Sequence, residues 1–199
     1  MELLVLGTAN AGKARELRSL LEASPLTIKT LADFDDAESI DETGQTFAEN
    51  ARLKAVEQAR HLHQWVLADD TGLAVDALGG APGVHSARFA GEDGNAKANR
   101  RRLLAELTDV PLPERTARFV CHLTLADPTG EIRAETTGQC QGRITTAERG
   151  GEGFGYDALF EVIEYRRTFA EIGPAAKSCL SHRGRAMKRM AAIIRRLAS

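Results

Sequence analysis

The stretch LLVLGTANAGKARELRSLL, residues 3–21, changes its periodicity midway. Leu3 to Leu6 is a continuous apolar run of strand length, the pattern of a strand covered on both faces. Gly7 to Lys13 reads as a loop, and ARELRSLLEA (14–23) as a helix with Leu17, Leu20 and Leu21 on one stripe. Strand, loop and helix in that order begin an α/β fold.

The pattern continues outward from there. Leu26 to Leu31 reads as a second strand, and Asp33 to Gly44 as an acidic irregular stretch. Thr46 to about His63 reads as a helix, opened by the capping-box letters Thr46-Phe47-Ala48-Glu49 and carrying Ala51, Ala55, Ala59 and Leu62 on one face. Val66 to Asp70 reads as a strand that ends in two adjacent acids. Gly79 to Gly94 reads as loop, and Ala96 to Leu107 as a helix. Period-two alternation on both sides of Asp127-Pro128-Thr129-Gly130 predicts a hairpin. Gly150 to Gly155 is a second glycine-rich loop. SHRGRAMKRMAAIIRRLAS (181–199) is a helix with Met187, Met190, Ile194 and Leu197 on one stripe. The whole predicts a mixed sheet with helices on its faces.

The bulk numbers exclude some classes. The 199 residues are 43% hydrophobic and 27% charged, an ordinary globular composition that suits one domain over 1–199 with room for two lobes. The formal charge of -2 calls for no nucleic-acid partner and no membrane surface. Three scattered cysteines without a CxxC pair point to a reducing compartment. With no signal-peptide-like start and no membrane-length run, a cytoplasmic location is expected.

Several segments carry chemistry. Gly7 and Gly12-Lys13 have the spacing of a P-loop, whose backbone amides, helix end and lysine suit a phosphate. Ala14, however, stands where that motif needs a hydroxyl for Mg²⁺. A strand-to-helix turn with a surface lysine has the same letters. Asp69 and Asp70 are neighbours on a strand, so their side chains face opposite ways and take different tasks. One suits a metal or a water, and the other a cation or a cap. Glu42 is a candidate second oxygen ligand for a hard cation, and Lys54 a candidate contact on a helix. In GGEGFGYDALF, Phe154 and Tyr156 either stack on a base or plug the core. Lys177, His182 and Arg183 offer donors for phosphate or for a base carbonyl.

Five stretches taken in order resemble the inosine/xanthosine triphosphate pyrophosphatase family. They are GTANAGKARE (7–16), ETGQTFAENARLKA (42–55), ADDTGLAVDALGGAPGVHSARFAGE (68–92), GFGYD (153–157) and KSCLSHRG (177–184). The resemblance implies an elongated mixed sheet with flanking helices and two lobes around a central nucleotide-binding cleft, in a homodimer. It implies Mg²⁺-dependent hydrolysis of ITP, dITP or XTP to the monophosphate and pyrophosphate. Carried over by position, Thr8, Ala9, Asn10, Ala11, Gly12 and Lys13 contact the triphosphate. Glu42 and Asp70 hold the metal, and Asp70 also accepts the proton. Lys54, Thr71, Phe154, Gly155, Tyr156, Asp157, Lys177, His182 and Arg183 complete the substrate contacts, and Asp69 is left a supporting role. The chain departs from the family pattern at Ala9, Ala158 and Ala176, the last beside Lys177. Two other classes fit parts of the pattern: a P-loop enzyme that releases the terminal phosphate, and a nucleotide sensor without turnover.

Overall fold

The computed structural model describes residues 1–22, 26–91 and 95–198. The end of the first expected helix at Ala23, the last residues of the Gly79–Gly94 loop and of the Ala68–Glu92 stretch, and Ser199 lie outside the described residues. Among the described residues, seven strands form one mixed sheet in the order β2-β1-β3-β4-β5-β6-β7. They are β1 (Leu3–Leu6), β2 (Thr27–Thr30), β3 (Val66–Val75), β4 (Thr116–Ala126), β5 (Ile132–Ile144), β6 (Phe160–Val162) and β7 (Arg167–Thr168). The helices are α1 (Ala11–Leu21), α2 (Phe47–Leu62), α3 (Ala96–Glu106), α4 (Phe169–Ile172), α5 (Pro174–Leu180) and α6 (His182–Ala198). β1 runs parallel to β2 and β3, while β6 runs antiparallel to β5 and β7, so the mixed α/β expectation holds. No helix among the described residues is long and apolar enough to cross a membrane.

The described residues pack as two compact units. The first takes the chain up to Asp70, from Cys121 to Gly138 and from Arg183 onward; the second takes Thr71 to Val120 and Gln139 to His182. In the first unit, strand alternation sorts the core into two faces. Leu4, Leu6 and Leu67 pack with Leu17 and Leu21 of α1 and with Met187, Met190 and Ile194 of α6. Val5, Val66 and Ala68 face the other way and pack with Ala55, Ala59 and Leu62 of α2. Both faces of β1 are covered, which is why its sequence is apolar at every position. The small side chains on α2 bring that helix close to the sheet.

α2 follows its sequence signals. The Thr46 hydroxyl accepts from the Glu49 amide, and the Glu49 carboxylate accepts from the Thr46 amide, closing the capping box. His63, in the left-handed conformation, ends the helix. Arg52 on α2 donates twice to Glu135 on β5, at 2.7 and 2.9 Å, and a ring nitrogen of His122 lies 3.0 Å from the same carboxylate. The Arg52 hydrogen bonds hold the Glu135 pKa down at about 2, against an ordinary 4.5. A depressed carboxylate adds stability above its unfolded pKa, and that stability fades as pH falls through the folded value. The urea midpoint is therefore expected to drop between about pH 5 and about pH 2. Glu135→Gln should flatten that acid limb, and an unchanged limb in the variant would remove this pair from the account.

The second unit has an aromatic core. Phe119, Phe160 and Phe169 form a three-ring cluster, with the Phe119 centroid 4.7 and 5.8 Å from the other two and those 5.1 Å from each other, and Leu73, Val75, Leu103 and Leu107 belong to the same core. Three expectations change here. β3 does not end at Asp70 but runs on to Val75, because Leu73 and Val75 belong to this second core. α1 begins at Ala11 instead of after Lys13, because the Asn10 carboxamide caps the amides of Gly12 and Lys13 at 2.9 and 3.1 Å. The segment expected as loop from Gly79 contains a 3₁₀ stretch, Gly83–Arg88.

Candidate active site

The two acids meet different helices. Asp69 shares the parity of Leu67 and points toward α1 and α6: Lys13 Nζ lies 3.1 Å from its Oδ2, and the Arg183 guanidinium 3.8 Å. Asp70 shares the parity of Val66 and Ala68 and points toward α2. Its Oδ1 faces Lys54 Nζ at 3.4 Å, and its Oδ2 accepts from Asn50 Nδ2 at 3.2 Å. The expected alternation is borne out, and each acid has its own cations. β1 ends at Leu6, opposite Leu67. Both acids therefore lie on β3 just past the carboxyl end of its parallel neighbour β1, near where open α/β sheets place their ligands.

Glu42 joins the Asp70 side. Its Oε1 accepts from Lys54 Nζ at 2.9 Å, so one ammonium is shared by two carboxylates. Asn50 braces the approach, since its Oδ1 takes the Gly44 amide at 2.8 Å while its amide nitrogen serves Asp70. Burial raises the Asp70 pKa above the ordinary aspartate value, with Lys54 and Lys13 opposing it. Burial by itself would lower Lys54, but Asp70, Asp69 and Glu42 outweigh it, and the ammonium is held protonated. Two carboxylates already gathered on one cation are a donor set that fits Mg²⁺, an ion commonly bound by one or two carboxylates and completed by substrate phosphates and water. Among the described residues, no group of three or more His, Cys, Asp and Glu gathers that could hold an ion by itself.

The first loop is built for close approach. A Cβ at Gly7 would lie 2.8 Å from Val66 Cγ1, so only glycine lets the chain leave β1 flush against β3. Thr8 Oγ1 accepts from the Asn10 amide at 3.3 Å, and Ala9, Asn10 and Ala11 are exposed. Arg183 is buried at the start of α6 and is ion-paired with Glu16 of α1 as well as with Asp69. Those carboxylates keep its pKa raised against the burial that would lower it.

The glycine-rich turn belongs to the second unit. Asp157 Oδ2 accepts from the Phe154 amide at 2.8 Å and from Lys177 Nζ at 2.6 Å, and both Asp157 and Lys177 are buried. A Cβ at Gly153 would lie 2.2 Å from that same Oδ2, and its φ of +82° also favours glycine. The two aromatics differ in burial. Tyr156 plugs the core, with its hydroxyl donating to the Ser86 carbonyl at 2.9 Å. Phe154 is only half-buried, with Lys177 Nζ 4.8 Å from its ring centroid. Gly155 has a φ of +59°, and Thr71 is half-buried on β3. The His182 ring lies nearly parallel to Phe119, at 4.7 Å and 15°.

Three participants escaped the sequence reading: Asn50, Glu16 and Arg100, whose Nη1 donates to the Gly155 carbonyl at 2.8 Å. Only Asn50 leaves a trace in the sequence. It stands one helical turn before Lys54, within the small-residue face of α2.

Known proteins resemble this chain over nearly its whole length. The chain is 52% identical over 185 residues to a protein of Rhodopirellula baltica named dITP/XTP pyrophosphatase, covering 93% of this chain and 89% of that one. It is 50% identical to a protein of the same name from Geobacillus kaustophilus, covering 96% and 93%. A HAM1 protein structure from Coxiella burnetii superposes with a TM-score of 0.88 at 34% identity, covering 98% of each chain. A Mycobacterium abscessus structure described as a nucleoside-triphosphatase and dITP/XTP pyrophosphatase gives 0.77 at 41% identity, covering 96% of this chain and 98% of that one. The Ham1 family model matches residues 4–193, which takes in all five motif stretches whole. With the motifs, the sheet and the full-length relatives in agreement, the chain belongs to the Ham1 family.

Proposed function

We propose that this chain is a nucleoside-triphosphate pyrophosphatase that hydrolyses ITP, dITP and XTP to the monophosphate and pyrophosphate, clearing them from the nucleotide pool. Family membership and the relatives' names support the class of reaction, hydrolysis of non-standard purine triphosphates. The observation that carries the reading down to residues is the convergence of Glu42 and Asp70 on one mostly buried ammonium.

In this reading Glu42 and Asp70 hold Mg²⁺, which when bound polarises a phosphate and lowers the pKa of water. Water attacks the α-phosphorus, the bond to the α–β bridging oxygen breaks, and pyrophosphate leaves. Asp70 orients that water and takes its proton at a carboxylate oxygen. Lys54, kept protonated by its acidic neighbours, places positive charge beside it. Thr8 to Lys13 contact the triphosphate, and Lys13 meets the negative charge that builds on the leaving pyrophosphate. Thr71 is a further substrate contact. The Phe154–Asp157 turn, Lys177 and His182 serve the nucleoside end, and Arg183 supports the site from the start of α6. A cytoplasmic homodimer is part of the same proposal, and sedimentation of the purified protein tests the dimer.

One assay separates this reading from its competitors. The protein is incubated with Mg²⁺ and a panel of nucleoside triphosphates, and the products are identified. Pyrophosphate supports the proposal, orthophosphate favours a P-loop enzyme, and no product favours a sensor. Lys13→Ala should raise KM and lower kcat together, because the lysine meets both bound substrate and developing charge. Ala14→Ser should bring no gain, and a large rise in Mg²⁺-dependent orthophosphate release in that variant would restore the P-loop reading.

A further inference from the structure

The segment that leads into Phe154 and carries it is rich in glycine. Gly150, Gly151, Gly153 and Gly155 supply none, and three of these four have positive φ. Its neck is closed by a backbone bond from the Arg149 amide to the Ala158 carbonyl at 2.9 Å. Asp157 restrains the Phe154 amide from inside the turn. A further brace comes from α3, a helix remote in sequence. Arg100 Nη1 donates to the Gly155 carbonyl at 2.8 Å, while Arg100 Nε lies 2.9 Å from a carboxylate oxygen of Glu148. One guanidinium thus ties the entry of the glycine-rich segment to its tip. The side chain is mostly buried, at 18% exposure, and a planar fork with fixed donors serves two partners at once in a way a lysine ammonium does not.

We propose that Arg100 is a positioning residue that fixes the Gly153–Asp157 turn, and through it the Phe154 ring, for the purine base. This rests on the reading that the turn serves the nucleoside end of the substrate. Arg100 does not touch the reacting atoms, so its removal should affect base binding and leave the phosphate chemistry alone. A hydrogen bond to a charged donor is large enough, when lost, to weaken the dependent binding step about tenfold.

The test uses two ligands that report different ends of the substrate: inosine monophosphate for the nucleoside, and inorganic pyrophosphate for the phosphates. Arg100→Met keeps the length and the apolar stem of the side chain and removes its donors. It should weaken inosine monophosphate binding about tenfold, leave pyrophosphate affinity within about twofold, and raise KM for inosine triphosphate with kcat within about twofold. Amide hydrogen exchange at residues 153–155 should quicken while that of the Phe119–Phe160–Phe169 core stays unchanged. Arg100→Lys should fall between wild type and Arg100→Met. If Arg100→Met does not fold, Arg100→Lys and Glu148→Gln carry the same comparison. Equal weakening of both ligands, or of neither, overturns the inference. Wild-type protein that binds no inosine monophosphate overturns the base assignment and this inference together. Wild-type binding that the Arg100 variants leave intact overturns this inference alone.

Discussion

Asp70→Asn is expected to lower kcat for pyrophosphate release by about 10²–10³-fold, the loss typical when one preorganised charge interaction with the transition state is removed, and to leave the fold intact. The expectation of an intact fold has its own physical basis. Burial pushes the Asp70 pKa up, so the ionised carboxylate is costly where it stands, and a neutral amide of the same shape relieves that cost. Lys54 keeps Glu42 as a partner, and the single amide oxygen at position 70 goes on accepting from one of the two donors that now face the carboxylate, Asn50 or Lys54, the relief of no longer burying a charge offsetting the loss of the other. In metal-free buffer the variant should unfold at the wild-type temperature or above it.

Asp69→Asn should show the reverse pattern. It removes a fully buried carboxylate from between Lys13 and Arg183, while Arg183 keeps its ion pair with Glu16. Both cations lose the buried charge that faces them, so stability falls, since breaking a buried ion pair strands the surviving charge. Turnover should fall less than in Asp70→Asn, because the side chain points away from the Glu42–Lys54 side of the strand. The measurement is kcat beside the thermal midpoint for each variant. Equal loss of kcat at both positions, in folded protein, would overturn the division of labour between the two acids.

That division was legible in two letters. Adjacent residues on a strand face opposite ways, so Asp69-Asp70 already implied two separate partners. The capped start of α2 and the apolar stripes of α1 and α6 were legible for similar reasons: each is a local pattern with a period. The extent of β3 was not. Asp69-Asp70-Thr71-Gly72 has the composition of a turn, and only the second core, gathered from Leu103, Phe119 and Phe160, shows why the strand continues to Val75. β6, β7 and α4 span three, two and four residues, too few to show a period. The missing partners were tertiary in origin. Glu16 meets Arg183 from 167 positions away, and Arg100 meets Gly155 from 55, distances at which sequence spacing carries no information. The start of α1 was misplaced for a smaller reason: Asn10 is a good N-cap, and reading it as one places Gly12 and Lys13 in the first helical turn.

The other large effect concerns the base. Hypoxanthine and xanthine carry a carbonyl at purine position 6, where adenine carries an amino group. A pocket that offers donors to the carbonyl turns adenine's amino group into a donor facing donors and strands buried polar groups. Sites built to hydrogen-bond one partner reject a mismatched analogue by up to roughly 10⁴–10⁵-fold, so inosine triphosphate should outrun ATP by orders of magnitude in kcat/KM. His182 is the donor we single out in the second unit. Its ring is buried and lies nearly parallel to Phe119, which sets the plane in which its nitrogens point. His182→Phe is the informative variant, because it keeps an aromatic ring on Phe119 and removes the N–H donors. It should compress the ratio of kcat/KM for inosine triphosphate over ATP, mainly by slowing the inosine substrate. The ratio is the right quantity to measure, since both substrates are tested on one preparation and any loss of folded enzyme cancels. Wild-type protein that treats the two triphosphates alike would overturn the donor pocket even with pyrophosphate as the product. A wild-type preference that His182→Phe leaves intact would move the donor role to another residue.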